Sequence, residues 1–116
     1  MDARTRVRVS KIVRALGRYD PERVILFGSA ARGDTDPYSD IDLIVIKNTT
    51  RRFLDRLERV YELLQGEFAV DALVYTPGEF SALQARENPF IERILKEGVT
   101  IYESNMSCRP ARKVNK

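Results

Sequence analysis

The sequence predicts an α/β fold, in which a sheet of three or four strands is covered by helices. Short, β-branched apolar runs alternate along the chain with longer segments whose apolar residues repeat at helical spacing. Turn-forming residues separate these segments. The length of 116 residues suits one compact domain. This pattern leaves the order and the direction of the strands open.

The first half of the chain is predicted to contain one helix and two strands. Residues 5–18 are expected to be helical because apolar residues occupy one face and basic residues the other. The apolar runs 23–27 (RVILF) and 41–46 (IDLIVI) are predicted strands. Between them, residues 29–33 should form a helical turn and residues 33–39 a polar loop. The apolar face of the helix comprises Val9, Ile12, Val13 and Leu16.

The second half is predicted to contain three helices and two strands. A helix over 50–65 should be followed by a strand over 68–76, which a Pro-Gly pair ends. Helices are then expected over 79–87 and 89–97, the second with proline in its first turn. Residues 98–103 are predicted to form an edge strand. The stripe of the 50–65 helix expected to be buried comprises Phe53, Leu54, Leu57, Val60, Tyr61 and Leu64.

The net charge of +3 is distributed unevenly along the chain. Residues 1–18 contain six basic residues and one acid, and residues 104–116 contain four basic residues and no acid. The segment between them has ten basic and sixteen acidic residues, so it should attract cations rather than nucleic acid. The basic ends lack the interleaved aromatic residues of RNA-binding modules, and nucleic acid is not an expected partner. We predict one domain over 1–103 and a basic, disordered tail over 104–116.

The composition excludes several classes of function. The chain has no histidine and one cysteine, Cys108, so neither a Ser-His nor a Cys-His mechanism is possible. Catalysis must use carboxylates, hydroxyls, basic side chains or a metal. No apolar stretch is long enough to span a membrane, and the N-terminus does not resemble a signal peptide. A cytoplasmic location is therefore expected.

Three aspartates are the candidates for a metal site. Asp40 and Asp42 lie one residue apart at the start of a strand, so their side chains should point the same way. Two close carboxylates repel each other unless a cation lies between them, although they could also be a solvated pair that caps the loop. Asp71 interrupts an apolar run and needs a partner, which could be an arginine. If neighbouring strands bring the three together, their oxygens suit Mg²⁺.

A second set of residues suits an anion such as a phosphate group. Gly28 follows a strand directly and would let a ligand approach the backbone closely. Ser29 is expected at the start of a helical turn, where free N–H groups favour an anion, although it could simply cap that turn. Arg32 could contact phosphate or remain a surface residue. Ser39 is expected to hold the aspartate loop rather than to take part in catalysis.

An anion site beside a carboxylate cluster suits the chemistry of a magnesium–nucleotide complex. Two metal ions about 3.5–4 Å apart could stabilise the attacking and leaving oxygens of an in-line phosphoryl displacement. Asp40 and Asp42 would hold both ions. Asp71 would hold the ion beside the acceptor hydroxyl and favour its deprotonation. The pyrophosphate would leave toward Gly28 and Ser29.

The stretch GSAARGDTDPYSDIDLIVI, residues 28–46, contains Gly-Ser followed after ten residues by Asp-x-Asp. It resembles the signature of the DNA polymerase β-like nucleotidyltransferases. It most resembles the minimal nucleotidyltransferases, which are the MNT antitoxin partners of HEPN ribonuclease toxins. The resemblance implies a small mixed sheet flanked by helices. It further implies that Asp40, Asp42 and Asp71 are the catalytic metal carboxylates. It implies nucleotide contacts at Gly28, Ser29, Arg32 and Ser39.

The same resemblance implies a reaction and a partner. Members of this family transfer AMP from ATP, with Mg²⁺, to a tyrosine of the HEPN toxin and thereby silence it. Larger relatives carry a further domain for the acceptor, so here we expect another protein, a second copy of the chain or a shallow surface to hold it. A non-catalytic antitoxin that neutralises its toxin by contact is the alternative. Under either hypothesis the basic face of the helix over 5–18 could dock an acidic partner, and a homo- or hetero-oligomer is possible.

Overall fold

A four-stranded mixed sheet forms the centre of the structure, a computed structural model that describes residues 3–33, 40–65 and 69–104. The loop residue Ser39 and residues 105–116 of the predicted tail, which include Cys108, lie outside the described residues. The strands are β1 (Arg23–Phe27), β2 (Ile41–Ile46), β3 (Val70–Tyr75) and β4 (Val99–Glu103). The helices are α1 (Ala3–Gly17), α2 (Ser29–Arg32), α3 (Phe53–Leu64), α4 (Pro77–Ala85) and α5 (Pro89–Glu97).

The strands are arranged in the order β3-β2-β1-β4. β1 is antiparallel to both β2 and β4, whereas β2 and β3 are parallel. The parallel pair follows from the crossover through α3, because a helix between two strands returns the chain to the same end of the sheet. The predicted α/β fold with a small mixed sheet is confirmed, and β4 lies at an edge as predicted.

Helices pack on both faces of the sheet. α1 and α3 cover one face, and α4 and α5 cover the other. Alternate residues of each strand therefore enter different cores. Burial of each full aliphatic side chain contributes about 1.5–3 kcal/mol to the free energy of unfolding. The first core includes Ile12, Leu16, Leu43, Val45, Val60 and Leu64. The second includes Ile25, Ile44, Phe80, Ile91 and Ile94.

α4 begins at Pro77, two residues earlier than predicted. The Pro-Gly pair therefore starts this helix instead of separating it from β3. Thr76 Oγ1 accepts a hydrogen bond from the Glu79 N–H at 3.1 Å, and the Glu79 carboxylate accepts one from the Thr76 N–H at 3.0 Å. This reciprocal cap, with proline at the first helical position, satisfies donors that a helix start leaves free.

The predicted buried stripe of α3 is partly wrong. Leu54 is 75% exposed, and Phe53 and Tyr61 are also on the surface. The buried residues are Arg56, Val60 and Leu64, which are spaced four residues apart and face the sheet. The helix is therefore rotated relative to the prediction, with an arginine in place of a leucine at its first buried position.

Arg56 is held by four hydrogen bonds. Its guanidinium donates to both carboxylate oxygens of Glu79, at 2.7 and 3.1 Å. It also donates to the carbonyl oxygens of Val74, at 3.2 Å, and Arg51, at 2.8 Å. The Arg56 side chain is 7% exposed. One buried guanidinium thus ties α3 to β3, to the start of α4 and to the loop before α3.

We predict that Glu79→Gln lowers the free energy of unfolding by about 2 kcal/mol at neutral pH, because a charge-assisted pair to a buried arginine is lost. The hydrogen bond from Arg56 holds the pKa of Glu79 below its ordinary value of 4.5. The stabilisation is therefore complete above that value and disappears as the pH falls through the lowered pKa. Denaturant titrations of both proteins from pH 7 to pH 3 would measure the difference. A constant difference across that range would contradict the prediction, and Glu92→Gln is a matched exposed control.

Candidate active site

Two aspartates from neighbouring strands lie side by side at one end of the sheet. In the parallel register of β2 and β3, Asp42 is paired with Asp71. In the antiparallel register of β1 and β2, Asp42 is paired with Phe27, the last residue of β1. Asp40 directly precedes β2. The structure thus brings the start of β2, the start of β3 and the end of β1 to one place.

Both paired aspartates project toward the α4–α5 side of the sheet. Their strand neighbours Ile41, Leu43, Val70 and Ala72 all belong to the core under α1 and α3. Because side chains alternate along a strand, Asp42 and Asp71 lie on the opposite face. Asp71 is exposed rather than buried, since it lies near the beginning of an edge strand. The interpretation that Asp71 needs a partner because it interrupts an apolar run is wrong, since solvent reaches its side chain.

The electrostatics of this end of the sheet favour a cation. Burial raises the pKa of Asp42, and the charges of Asp71 and Asp40 raise it further, while Arg32 opposes them. Within the described part of the chain, no three acidic or thiol side chains converge closely enough to hold a metal as a group. Mg²⁺ does not require three, because it binds through one or two carboxylates, substrate phosphates and water. The donors present at Asp42 and Asp71 therefore fit this ion.

Gly28 lies against Asp42 in a conformation that only glycine adopts readily. Its φ of 74° and ψ of −153° fall in a region that side chains exclude. A Cβ atom at this position would overlap the Oδ2 atom of Asp42. The missing side chain leaves the backbone open beside the carboxylate, so a ligand held by Asp42 can approach the turn closely.

Ser29 and Arg32 form the single turn of α2 that follows this glycine. The turn is closed by a hydrogen bond from the Arg32 N–H to the Gly28 carbonyl at 3.2 Å, and no side chain caps its start. The Arg32 guanidinium is 4.0 Å from the Glu97 carboxylate and lowers the pKa of Asp42. The glycine turn therefore carries a positive charge near enough to Asp42 to act on its carboxylate.

A cavity of about 320 Å³ lies next to this turn. The residues of α5 that line this cavity were not predicted, because no motif links Phe90, Arg93 or Glu97 to the glycine turn. Phe90 contacts Phe27 edge to face, with 5.7 Å between ring centroids, and remains 44% exposed. The segment QARENPF, which ends at Phe90, contains no pattern that predicts an exposed aromatic residue at this position. The cavity is lined by Phe27, Gly28, Arg32, Phe90, Arg93, Ile94 and Glu97.

Comparison with known families identifies the whole segment that builds this site. A family profile described as "Polymerase beta, Nucleotidyltransferase" matches residues 10–107. The match includes all four strands, the glycine turn and the three aspartates. No curated protein matches the sequence at the level that would indicate a relative.

Three solved structures share the fold. A candidate nucleotidyltransferase from Sulfolobus solfataricus is 24% identical, with a TM-score of 0.56 over 85% of this chain and 79% of its own. A toxin–antitoxin complex with AMP-PNP is 21% identical, with a TM-score of 0.58 over 84% of this chain and 75% of its own. A mutant of the MntA–HpeT toxin–antitoxin is 19% identical, with a TM-score of 0.56 and the same coverage.

Proposed function

The chain belongs to the polymerase beta nucleotidyltransferase family, and we propose that it is an antitoxin that transfers AMP from ATP to a tyrosine of a HEPN-type toxin. The observation that carries the proposal is the Asp42–Asp71 pair, which lies beside Gly28 and has Asp40 directly before its strand. Carboxylates facing a glycine turn and an arginine suit the transfer of a nucleotide from its triphosphate.

Two structural neighbours support the choice of a toxin as partner. Both are toxin–antitoxin complexes, and one of them was solved with AMP-PNP, an ATP analogue. The mutant complex carries two Asp-to-Glu substitutions at positions separated by one residue. Asp40 and Asp42 have the same spacing. We propose that these two residues act together here on the α-phosphate of ATP.

The chain's own residues have separate roles in the proposed reaction. Gly28 admits the β- and γ-phosphates close to the backbone, where the Ser29 hydroxyl donates to a phosphate oxygen. Arg32 exchanges its partner Glu97 for the triphosphate and neutralises charge on the departing pyrophosphate. Ser39, in the loop before Asp40, is proposed to hold that aspartate in place. Mg²⁺ held by Asp42 and Asp71, with Asp40 as a further carboxylate directly before β2, would polarise the phosphate oxygens and lower the pKa of the acceptor hydroxyl.

The acceptor would reach the site from the β3 side. β3 is an edge strand and Asp71 is exposed, so a hydroxyl group of another protein has free access to this carboxylate. The acceptor oxygen forms a bond to the α-phosphorus as the bond to the bridging oxygen of the β-phosphate breaks. The proton of the hydroxyl passes to an Oδ atom of Asp71, and pyrophosphate leaves toward Gly28 and Ser29.

We expect label to move from α-³²P-ATP to the partner toxin when the chain, the toxin and Mg²⁺ are incubated together. Label should be absent when the metal is chelated, and a Tyr→Phe change at the acceptor of the toxin should prevent labelling. Neutralisation of the toxin without any label would instead support an antitoxin that acts by contact. Labelling of a small molecule but not of the toxin would retain the transferase and reject the protein acceptor.

A further inference from the structure

A second cavity, of about 540 Å³, lies at the other end of β2 from the aspartates. Its wall includes Lys47, which directly follows β2, so it is roughly 16 Å along the strand from Asp42. The volume is in the range of sites that bind small molecules. The cavity is lined by Arg18, Tyr19, Lys47, Thr49, Arg51, Asp55, Glu58, Arg59 and Glu62.

Tyr19 has a buried hydroxyl without a hydrogen-bond partner in the described part of the chain. The residue is only 9% exposed, and Lys47 Nζ lies 5.0 Å from its ring centroid. Burial raises the pKa of this hydroxyl, and the positive charges of Arg56, Arg51 and Arg59 oppose that rise in part. Leaving such a donor unsatisfied is costly, and Lys47, Arg51 and Arg59, which lie near it, are donors. An oxyanion would provide an acceptor for the hydroxyl and for these cations together.

The cavity also contains charged groups of both signs. Within residues 3–33, 40–65 and 69–104, no side-chain partner lies within bonding distance of the Arg18 and Arg51 guanidinium groups or the Asp55 and Glu58 carboxylates. Arg59 is paired with Glu62 at 2.7 Å, and Lys47 Nζ donates to the Asp20 carbonyl oxygen at 3.3 Å. Free cations and free carboxylates in one cavity suit a ligand that has an anionic group and separate hydroxyl or amino donors.

The backbone of Arg51, in the cavity wall, is fixed by two hydrogen bonds. The Arg51 carbonyl oxygen accepts the 2.8 Å hydrogen bond from buried Arg56, and the Arg51 N–H donates to Thr49 Oγ1 at 3.1 Å. Arg56 is itself fixed by Glu79. The backbone of this loop is thus set before any ligand arrives, which lowers the entropic cost of binding.

We propose that this cavity binds a phosphorylated small molecule of the size of a nucleotide or sugar phosphate. The phosphate group accepts hydrogen bonds from Tyr19, Arg18 and Arg51, and the hydroxyl or amino groups of the ligand donate to Asp55 and Glu58. The Tyr19 hydroxyl has no contact with solvent, so the proposal requires side chains of the cavity wall to move when the phosphate reaches it. The site is independent of the proposed transferase function.

Amide chemical-shift mapping of the ¹⁵N-labelled chain, without divalent cations, tests this site. AMP and ribose 5-phosphate are the probes, and inorganic phosphate is the reference. Saturable shifts at Thr49, Arg51 and Asp55 with either organic probe are expected, and AMP alone would show that the base is required. Shifts confined to residues 28–33, or binding of inorganic phosphate without any gain from the organic probes, would overturn the proposal.

Two variants separate a binding role from a structural one. Arg51→Gln should weaken probe affinity about tenfold, whereas the exposed control Arg86→Gln should leave it unchanged. Tyr19→Phe removes an unsatisfied buried hydroxyl, so the unliganded chain should melt at the same or a higher temperature while probe affinity falls at least about fivefold. A lower melting temperature with unchanged affinity would overturn the assignment, as would unchanged affinity in Arg51→Gln.

Discussion

Replacing Asp42 by asparagine is expected to lower the rate of nucleotidyl transfer by about 10²- to 10³-fold. Asp42 is the central carboxylate of the proposed site. It is paired with Asp71 across the strands, lies against Gly28 and follows Asp40 by two residues. Asparagine keeps the shape of the side chain but removes the charge that a cation requires. Initial rates of label transfer from α-³²P-ATP, compared with Glu92→Gln, measure the effect.

The same substitution should not damage the fold. Burial and the neighbouring charges raise the pKa of Asp42, so the folded protein disfavours its ionised form, and this penalty is present at any pH above the raised pKa. Asparagine has no charge and avoids this penalty. We therefore expect the free energy of unfolding to rise by about 0.5 kcal/mol at neutral pH, a value that allows for solvent screening. As the pH falls through the raised pKa, the gain should disappear. Loss of stability together with loss of activity would show that Asp42 has a structural role.

Gly28→Ala is expected to lower the free energy of unfolding by about 2–3 kcal/mol and to abolish transfer. Two independent effects contribute. The backbone at this position is strained for any residue with a side chain, and the new Cβ would displace the carboxylate of Asp42. Thermal unfolding measures the first effect, and the transfer assay measures the second in the fraction that remains folded.

Two other glycines provide matched controls for Gly28→Ala. Gly33 also has a positive φ, of 82°, but nothing lies within 4 Å of the position that its Cβ would occupy. Gly33→Ala should therefore show the backbone strain, about 1 kcal/mol, without displacing any carboxylate. Gly17 lies in α1 with open space around it, and Gly17→Ala should stabilise the chain by about 0.5–1 kcal/mol. Equal effects of Gly28→Ala and Gly33→Ala would contradict the proposed contact with Asp42.

Much of the fold could be predicted because its local signals agree. β1 and β2 have the predicted bounds, since each is an apolar run with turn residues on both sides. α5 also has the predicted bounds, and Asn88 caps it by accepting hydrogen bonds from the N–H groups of Phe90 and Ile91. In each of these elements, propensity and tertiary packing favour the same conformation.

The predictions that were wrong depend on contacts between residues far apart in the sequence. The stripe of α3 was misplaced because Leu54 resembles a core residue by type, whereas the charge of buried Arg56 is balanced by Glu79, a residue 23 positions further along the chain. The T-x-x-E pattern of Thr76 and Glu79 was the available signal for the start of α4. The pairing of strands was not predictable from periodicity, so the position of Asp71 beside Asp42 depended on the resemblance to a family.

The residues of the site that lie on α5 could not be predicted from the sequence either. Phe90, Arg93 and Glu97 are about 60 residues from the glycine turn, and only the packing of α5 on the sheet brings them to it. The cavity around Tyr19 is similar, because it joins the end of α1, the end of β2 and α3. Neither group of residues forms a motif along the chain.

The proposed reaction requires a divalent cation between Asp42 and Asp71, beside Gly28. Paramagnetic broadening of amide signals by Mn²⁺, added in place of Mg²⁺ with a non-hydrolysable ATP analogue, would locate this cation. We predict that the signals of Gly28, Asp42 and Asp71 broaden first and that Asp42→Asn prevents this. Broadening that begins at the acidic residues Glu58 and Glu62 of α3, with Asp42 and Asp71 unaffected, would contradict the account.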